Sequence, residues 1–368
     1  MKDLKYVKDL VSIKSFSIEE NKQIIEYLKN VFKPVVKEII ALKNEDCDKE
    51  NLLIGVNCKL KDLNDAIILS GHIDTVVANE DMYNTDPYIA TQIEDKIFGL
   101  GVIDMKCFFG TILDNLQYLQ QAKKPIVVAI TSDEETEFQG VKVLTDFMKK
   151  RNIKSSFSLI GEPTNMFMCT VGKSVYEYII NVKGISCHSS DPSKGVNANY
   201  IVAKLINKIE KLNMSLPNTT LSCNIVKGGE AVNIISPMCM IKFDLRTDSQ
   251  QKEQIIISKI KQKIAQLKKL YLGCEIELKP SLEILPFNNY ETNKYIKEIA
   301  STLKLETTEF KGGCEAGFYQ SVGGEALVFG CGDLSLAHKP NEYLEIKKYE
   351  EYDKYFKQII KIVDKQKI

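Results

Sequence analysis

The sequence predicts a two-domain α/β protein, a largely parallel sheet with helices on both faces interrupted by a smaller α+β domain. Three observations carry this. Apolar runs such as Ala66-Ile67-Ile68-Leu69 and Ile126-Val127-Val128-Ala129-Ile130 alternate with helical patterns, the signature of a parallel sheet. After about residue 171 the rhythm changes to the order β-α-β-β-α-β, a split ferredoxin-like unit. The α/β rhythm then resumes to the end of the chain, and 368 residues suffice for two cores. The expected division is 1–171 and 286–368 for the α/β domain, with 172–285 inserted.

Element by element, residues 3–12 and 19–33 space Leu, Val, Ile and Phe as helices do, and Pro34 interrupts the second. β-rich runs follow at 35–41, 52–58 and 66–70, then a loop over 84–96 with a turn at Asp86-Pro87. A helix is expected from Asp104 to Leu119, a strand at 126–130, a helix near 139–150 and a strand at 158–160. In the inserted domain, strands are expected at 174–183, 219–227, 237–246 and 274–280, with helices at 195–212 and 251–270. Helix and strand patterns return near 290–303, 325–329 and 346–363.

Polar residues recur where apolar runs end. His72 and Asp74 follow the run at 66–69, Glu134 and Glu135 follow the run at 126–130, and Glu162 follows 158–160. Open α/β sheets bind ligands at the C-terminal ends of their strands. A neutral imidazole with a carboxylate two residues on suits a metal ligand and its supporting partner. Of two adjacent acids, one can bind metal while the other faces substrate as a general base. Taken singly, Glu134-Glu135 also reads as a solvated acidic loop, Glu162 as an ordinary loop acid and His338 as a surface histidine. Taken jointly, His72, Asp104, Glu135, Glu162 and His338 offer two imidazoles and three carboxylates. That set fits two divalent ions bridged by Asp104 and favours zinc, with cobalt or manganese possible.

Composition narrows the remaining classes. The 49 basic and 49 acidic residues cancel, so nothing suggests a nucleic-acid groove or an anionic membrane surface. No apolar run approaches the ~20 residues of a membrane span, and Met1-Lys2-Asp3-Leu4-Lys5 does not read as a signal peptide. Ten cysteines without a Cys-x-x-Cys pair read as buried free thiols of a reducing compartment, which points to the cytoplasm.

The anchors Ser70-Gly71-His72-Ile73-Asp74-Thr75-Val76, Asp104-Met105-Lys106, Asp133-Glu134-Glu135, Gly161-Glu162-Pro163-Thr164 and His338 resemble, in combination and order, a known family. It is that of the dizinc amidohydrolases that include acetylornithine deacetylase, succinyl-diaminopimelate desuccinylase, aminoacylase and carboxypeptidase-type members. The resemblance implies a dizinc-aminopeptidase-like catalytic domain with an inserted lid and dimerisation domain, and hence a homodimer acting on a small N-acyl amino acid. It implies that Asp74 orients His72, that Asp104 bridges the metals and that Glu134 is the general base. Glu135 would bind one metal with His338, and Glu162 the other with His72.

Gly184-Ile185-Ser186-Cys187-His188-Ser189-Ser190 is similar to the family's histidine loop, in which His188 would reach the partner subunit's site and hold the oxyanion. On residues alone His188 is a loop histidine. Gly228-Gly229-Glu230-Ala231-Val232-Asn233 and Asp244-Leu245-Arg246 match the lid, so Asn233 and Arg246 would bind substrate, Arg246 through a carboxylate. Read alone, Arg246 is a surface strand arginine. Residues 313–320 and 337–343 are similar to the substrate loop and last-ligand motif of acetylornithine deacetylase. That implies hydrolysis of N2-acetyl-L-ornithine to acetate and L-ornithine, in arginine synthesis. A desuccinylase, aminoacylase or dipeptidase of the same family is the alternative, and a non-catalytic amino-acid-derivative binder is a further one. By charge complementarity Glu315 would meet the substrate's cationic amine. Leu100, Cys107, Cys314 and Val77 depart from the family pattern, none of them at an expected ligand.

Overall fold

A strand covered on both faces needs apolar residues at every position rather than in alternation. Ile126–Thr131 meets that demand, with all six residues buried. In the computed structural model, which describes residues 3–45, 48–289 and 294–365, this strand belongs to the first of two compact units, Met1–Gly172 with Phe287–Ile368. The second unit is Lys173–Pro286.

The centre of the first unit is four parallel strands in the order Ile126–Thr131, Leu63–His72, Ile153–Ile160 and Glu325–Val328. Their register aligns the strand ends. His72 lies opposite Thr131, Ser70 opposite Ile160, and Ile160 opposite Val328. All four chains therefore leave the sheet along one edge. Antiparallel pairing begins outside this centre, with Glu50–Gly55 and then Glu38–Lys43 on one side. On the other side Met168–Gly172 pairs antiparallel with Glu325–Val328 and Phe287–Asn288 and parallel with Thr307–Phe310, completing nine strands.

The helices of this unit, among them Lys5–Ser12, Lys22–Phe32, Gln139–Lys150, Lys294–Leu303 and Ile346–Lys365, bury one apolar stripe each. Their core is aromatic as well as aliphatic. Phe108, Phe109, Phe157, Phe329, Tyr352 and Phe356 are fully buried in it, each worth about 1.5–3 kcal/mol of transfer free energy. The hydroxyl of Tyr352 donates to the Phe329 carbonyl at 3.0 Å, so its burial leaves no stranded donor.

Three features differ from the sequence expectation. The 84–96 loop contains a short hairpin, Thr91–Ile93 with Lys96–Phe98, which Tyr343–Glu345 joins as a third strand. Met168–Gly172 and Thr307–Phe310 are strands whose pairing partners lie far away in sequence. The helix expected from Asp104 begins only at Cys107, because Asp104 and Met105 have non-helical backbone angles. Part of the pattern near 290–303 falls outside the described residues, and the helix there is Lys294–Leu303.

The second unit is a four-stranded antiparallel sheet in the order Thr220–Gly228, Met238–Arg246, Val175–Lys183, Glu275–Ile284. The helices Ala198–Asn213 and Gln250–Leu270 cover it, through Ile201, Leu205 and Ile209 on one and Ile256, Ile260 and Ile264 on the other. Both helix starts are capped: the Asn197 side chain accepts from Asn199 N, and Ser249 Oγ from Lys252 N. This is the split β-α-β arrangement with two crossovers. No helix among the described residues is long and apolar enough to cross a membrane.

Candidate metal centre

Five separate segments meet at the C-terminal edge of the parallel strands. His72 ends the strand Leu63–His72. Its Nδ1 lies 2.9 Å from the main-chain oxygen of Asp74, which fixes that nitrogen as the donor and leaves Nε2 free to face the site. Nε2 lies 3.1 Å from Asp104 Oδ1. The other oxygen of the same carboxylate, Oδ2, lies 3.2 Å from His338 Nε2. His338 Nε2 is also 2.8 Å from Glu135 Oε1.

Asp104 therefore stands between two imidazoles, one on each oxygen. Two clusters share it, His72 with Asp104 and Glu162, and Asp104 with Glu135 and His338, their ligand atoms within 4.8 Å of one another in each. Glu134 sits beside the first cluster, its Oε2 3.9 Å from His72 Nε2.

The turns that present these groups are held by other side chains. Glu162 follows Gly161, where a Cβ would fall 2.0 Å from Phe108 Cγ, so only glycine lets the chain pass the ring there. Asp133, at φ +62°, starts the turn carrying Glu134 and Glu135. Its carboxylate is bound by Lys49 and by the Asn44 amide. Asp74 completes the frame in a way the sequence did not indicate. Its carboxylate accepts from Ser17 Oγ at 2.7 Å, Glu134 N at 3.3 Å and Glu135 N at 3.2 Å. The carboxylate oxygen nearest the His72 ring is 3.7 Å away, so His72 is oriented by the Asp74 carbonyl while the Asp74 side chain holds the glutamate turn.

The electrostatics describe a site built for cations. Burial raises the carboxyls of Glu134 and Glu162, and repulsion from neighbouring carboxylates raises them further against the opposing pull of His72. Burial alone would lower the His72 imidazole, yet Glu134, Asp104 and Glu162 together raise it well above its usual value. Hydrogen bonds to the carboxylates of Asp104 and Glu135 push His338 up to about 10. Asp104 is held below the usual carboxylate range, the hydrogen bonds from His338 and His72 outweighing its burial. Glu162 Oε1 is buried without a hydrogen-bond partner. Crowded carboxylates, proton-holding imidazoles and an unpartnered buried oxygen are what a pair of divalent ions would relieve. Two His and three carboxylates are also a donor set such ions accept.

His188, Asn233 and Arg246 belong to the second unit. His188 is exposed, with Nδ1 2.7 Å from Ser190 Oγ, and bridges to Ile234. Ser189 N donates to the Asn233 carbonyl at 3.0 Å, so His188 and Asn233 share one loop cluster. Arg246 Nε lies 3.2 Å from Asp244 Oδ1, its side chain 42% exposed.

Glu315 belongs to the first unit and is buried. It is 1% exposed, and its Oε2 accepts from Ser70 Oγ at 2.9 Å. Burial pushes its carboxyl up to about 7. Its Oε1 is buried without a hydrogen-bond partner. Through Ser70 it is tied to the strand that ends in His72. Cys314 beside it is buried too, as are Leu100 and Cys107.

Sequence reasoning missed Glu342. This acid is 2% exposed, and it accepts hydrogen bonds from the backbone of Gly101 and Ile103. The available signal was its place in the 337–343 motif, four residues after His338.

A family model described as Peptidase family M20/M25/M40 matches residues 68–362. The chain is 30% identical over 367 residues to acetylornithine deacetylase of Buchnera aphidicola subsp. Schizaphis graminum, covering 93% of this chain and 91% of that protein. Its fold is similar to the crystal structure of a tripeptidase from Staphylococcus aureus, with a TM-score of 0.75, 23% identity, and 99% and 98% of the two chains covered. It is also similar to the Bacillus subtilis YXEP protein, described as a dinuclear metal binding peptidase, with a TM-score of 0.71, 16% identity, and 99% and 98% covered.

Proposed function

The chain belongs to peptidase family M20/M25/M40 and is a metal-dependent hydrolase, and on that premise we propose that it removes the acetyl group of N2-acetyl-L-ornithine, giving acetate and L-ornithine. The observation that carries the amide chemistry is Asp104, one carboxylate shared by two imidazole–carboxylate clusters with Glu134 alongside. The choice of substrate is supported by the acetylornithine deacetylases of the curated relatives, about 30% identical over most of the chain. The structural neighbours that act on peptides favour a second reading, a dipeptidase or tripeptidase of the same chemistry.

In this reading His72, Asp104 and Glu162 hold one divalent ion, and Asp104, Glu135 and His338 the other, with zinc favoured and cobalt an acceptable substitute. Such ions, when bound, polarise a carbonyl and acidify water. Glu134 takes a proton from the attacking water and returns it to the leaving amine. A buried carboxyl with a raised pKa suits both halves of that task. Asp74 keeps Glu134 on station through its backbone N–H. His188, with Nδ1 engaged by Ser190, offers Nε2 to the oxyanion, Arg246 takes the substrate's carboxylate, and Asn233 also binds substrate.

A homodimer formed through the inserted unit would bring His188 of one protomer to the other's site. The outer edge of Thr220–Gly228, with Ile225 40% and Val226 52% exposed, is the surface suited to it. The nine described cysteines are free, which fits a cytoplasmic enzyme.

The test is kcat/KM of zinc-loaded protein on N-acetyl-L-ornithine, N-succinyl-L,L-diaminopimelate, N-acetyl-L-methionine and a tripeptide. Acetylornithine should lead by at least ~10-fold, the scale of discrimination one pocket contact provides. Preference for the tripeptide or the succinyl substrate would reject the acetylornithine assignment and retain the hydrolase.

A further inference from the structure

We propose that Glu342 is a positioning residue that fixes the shared Asp104 carboxylate between the two metal positions and ties it to the loop of His338. The carboxylate of Glu342 is 2% exposed. Its Oε2 accepts from Gly101 N at 3.0 Å, and its Oε1 accepts from Ile103 N at 2.8 Å and Asp104 N at 3.4 Å. These are the backbone donors of the turn that presents Asp104. With Asp104 and Met105 outside helical geometry, no regular helix takes up those donors.

The main chain of Glu342 is committed to the same segment. Its carbonyl accepts from Gly99 N at 3.1 Å, and the next residues, Tyr343–Glu345, pair antiparallel with Lys96–Phe98. One residue thus bonds residues 99–104 through both its side chain and its backbone. It does so four residues beyond His338, whose Nε2 lies 3.2 Å from Asp104 Oδ2. The shared carboxylate and the last imidazole are thereby parts of one rigid assembly. Acids that support metal ligands from behind hold them in the geometry the ion requires, and their loss typically weakens metal binding 10–100-fold.

The inference rests on the two-metal reading above, and the experiment separates the two. Zn2+ binding is measured calorimetrically on wild-type protein, Glu342→Gln, Glu342→Asp and a matched control, Glu325→Gln. Glu325 is likewise 3% exposed and accepts from Tyr295 N and Ile296 N, at 3.1 and 2.8 Å, away from the metal centre. A glutamine at 342 turns an amide donor toward backbone donors, and an aspartate withdraws the acceptor by one methylene.

The expected result is Zn2+ affinity weakened ~10–100-fold in each Glu342 variant, with an altered visible spectrum of the Co2+-loaded form. Glu325→Gln should lose thermal stability but keep wild-type affinity and spectrum. Wild-type affinity and spectrum in a folded Glu342 variant would overturn the inference. So would failure of both Glu342 variants to fold while Glu325→Gln folds, since Glu342 would then serve folding rather than the metal. Wild-type protein that binds no Zn2+ would instead overturn the two-metal reading itself.

Discussion

Loading the metal-free protein with zinc should expel protons, and the number can be worked from the site. Without cations, His338 holds its proton up to about pH 10, through hydrogen bonds to Asp104 and Glu135. The His72 imidazole is raised by Glu134, Asp104 and Glu162 against its burial, the direction that favours a bound proton. A metal-ligating imidazole must be neutral. At pH 7.5 His338 therefore gives up close to one proton, and the upward shifts of His72 and Glu162 act in the same direction. The expected release is at least about one proton per chain, and acidification of a water would only add to it. Titration of zinc into metal-free protein by calorimetry, in buffers of different ionisation enthalpy, reads the number as a slope. A slope below about one proton would refute the argument, because both imidazoles would then have been neutral before metal arrived.

The same shifts fix the sign of the pH dependence. A histidine whose folded pKa is raised stabilises fully below its unfolded value of about 6.5, and that stability is lost as pH climbs through the folded value. For His338 the window runs from about 6.5 to about 10. Its side chain is 51% exposed, so the contribution is of order 1 kcal/mol once solvent screening is allowed for. Glu134 and Glu162, with raised carboxyls, act in the same direction above about pH 4.5. Metal-free protein should lose melting temperature between pH 6.5 and 10, and zinc-loaded protein should not, because the ions stand where the protons were.

Two further outcomes are expected. Glu134→Gln should bind zinc at wild-type stoichiometry and lose turnover by ~10²–10⁴-fold; near-normal turnover in a zinc-replete variant would remove Glu134 from the proton path. Gly161→Ala places a Cβ 2.0 Å from the buried Phe108 ring, so it should cost about 1–3 kcal/mol in thermal unfolding and shift Glu162 enough to weaken zinc on the His72 side. Unchanged stability and full zinc content would show that the ring has room to move.

How much of this was legible in the sequence depends on the kind of signal. His72, the Glu134-Glu135 pair and Glu162 were legible because each directly follows an apolar run, and parallel strands in register deliver their ends to one edge. The α-β order of the inserted unit was legible because its strands alternate and its helices carry long apolar stripes. Thr91–Ile93 and Lys96–Phe98 were not, since three-residue strands have no period to detect. Glu315 shows the limit from the other side. A glutamate reads as solvent-facing, and only the packing of the Ala316–Gln320 helix behind Ser70 reveals that it is buried.

Backbone-directed acids account for the rest. Asp74 accepts from the N–H groups of Glu134 and Glu135, and Glu342 from those of Gly101, Ile103 and Asp104. Each holds the turn of a different ligand, and no spacing rule could pair them, because the partner is a peptide group rather than a side chain. The arrangement concentrates negative charge: Asp74, Asp104, Glu134, Glu162 and Glu342 are all buried. A metal-free chain bears that burden through shifted protons, so cation binding contributes to folding as well as to catalysis. At a free metal concentration 100 times Kd, the linkage amounts to about 2.7 kcal/mol per site, a large share of the ~5–15 kcal/mol that holds a domain together. The acids that aim the ligands therefore also make the folded chain depend on the ions it binds.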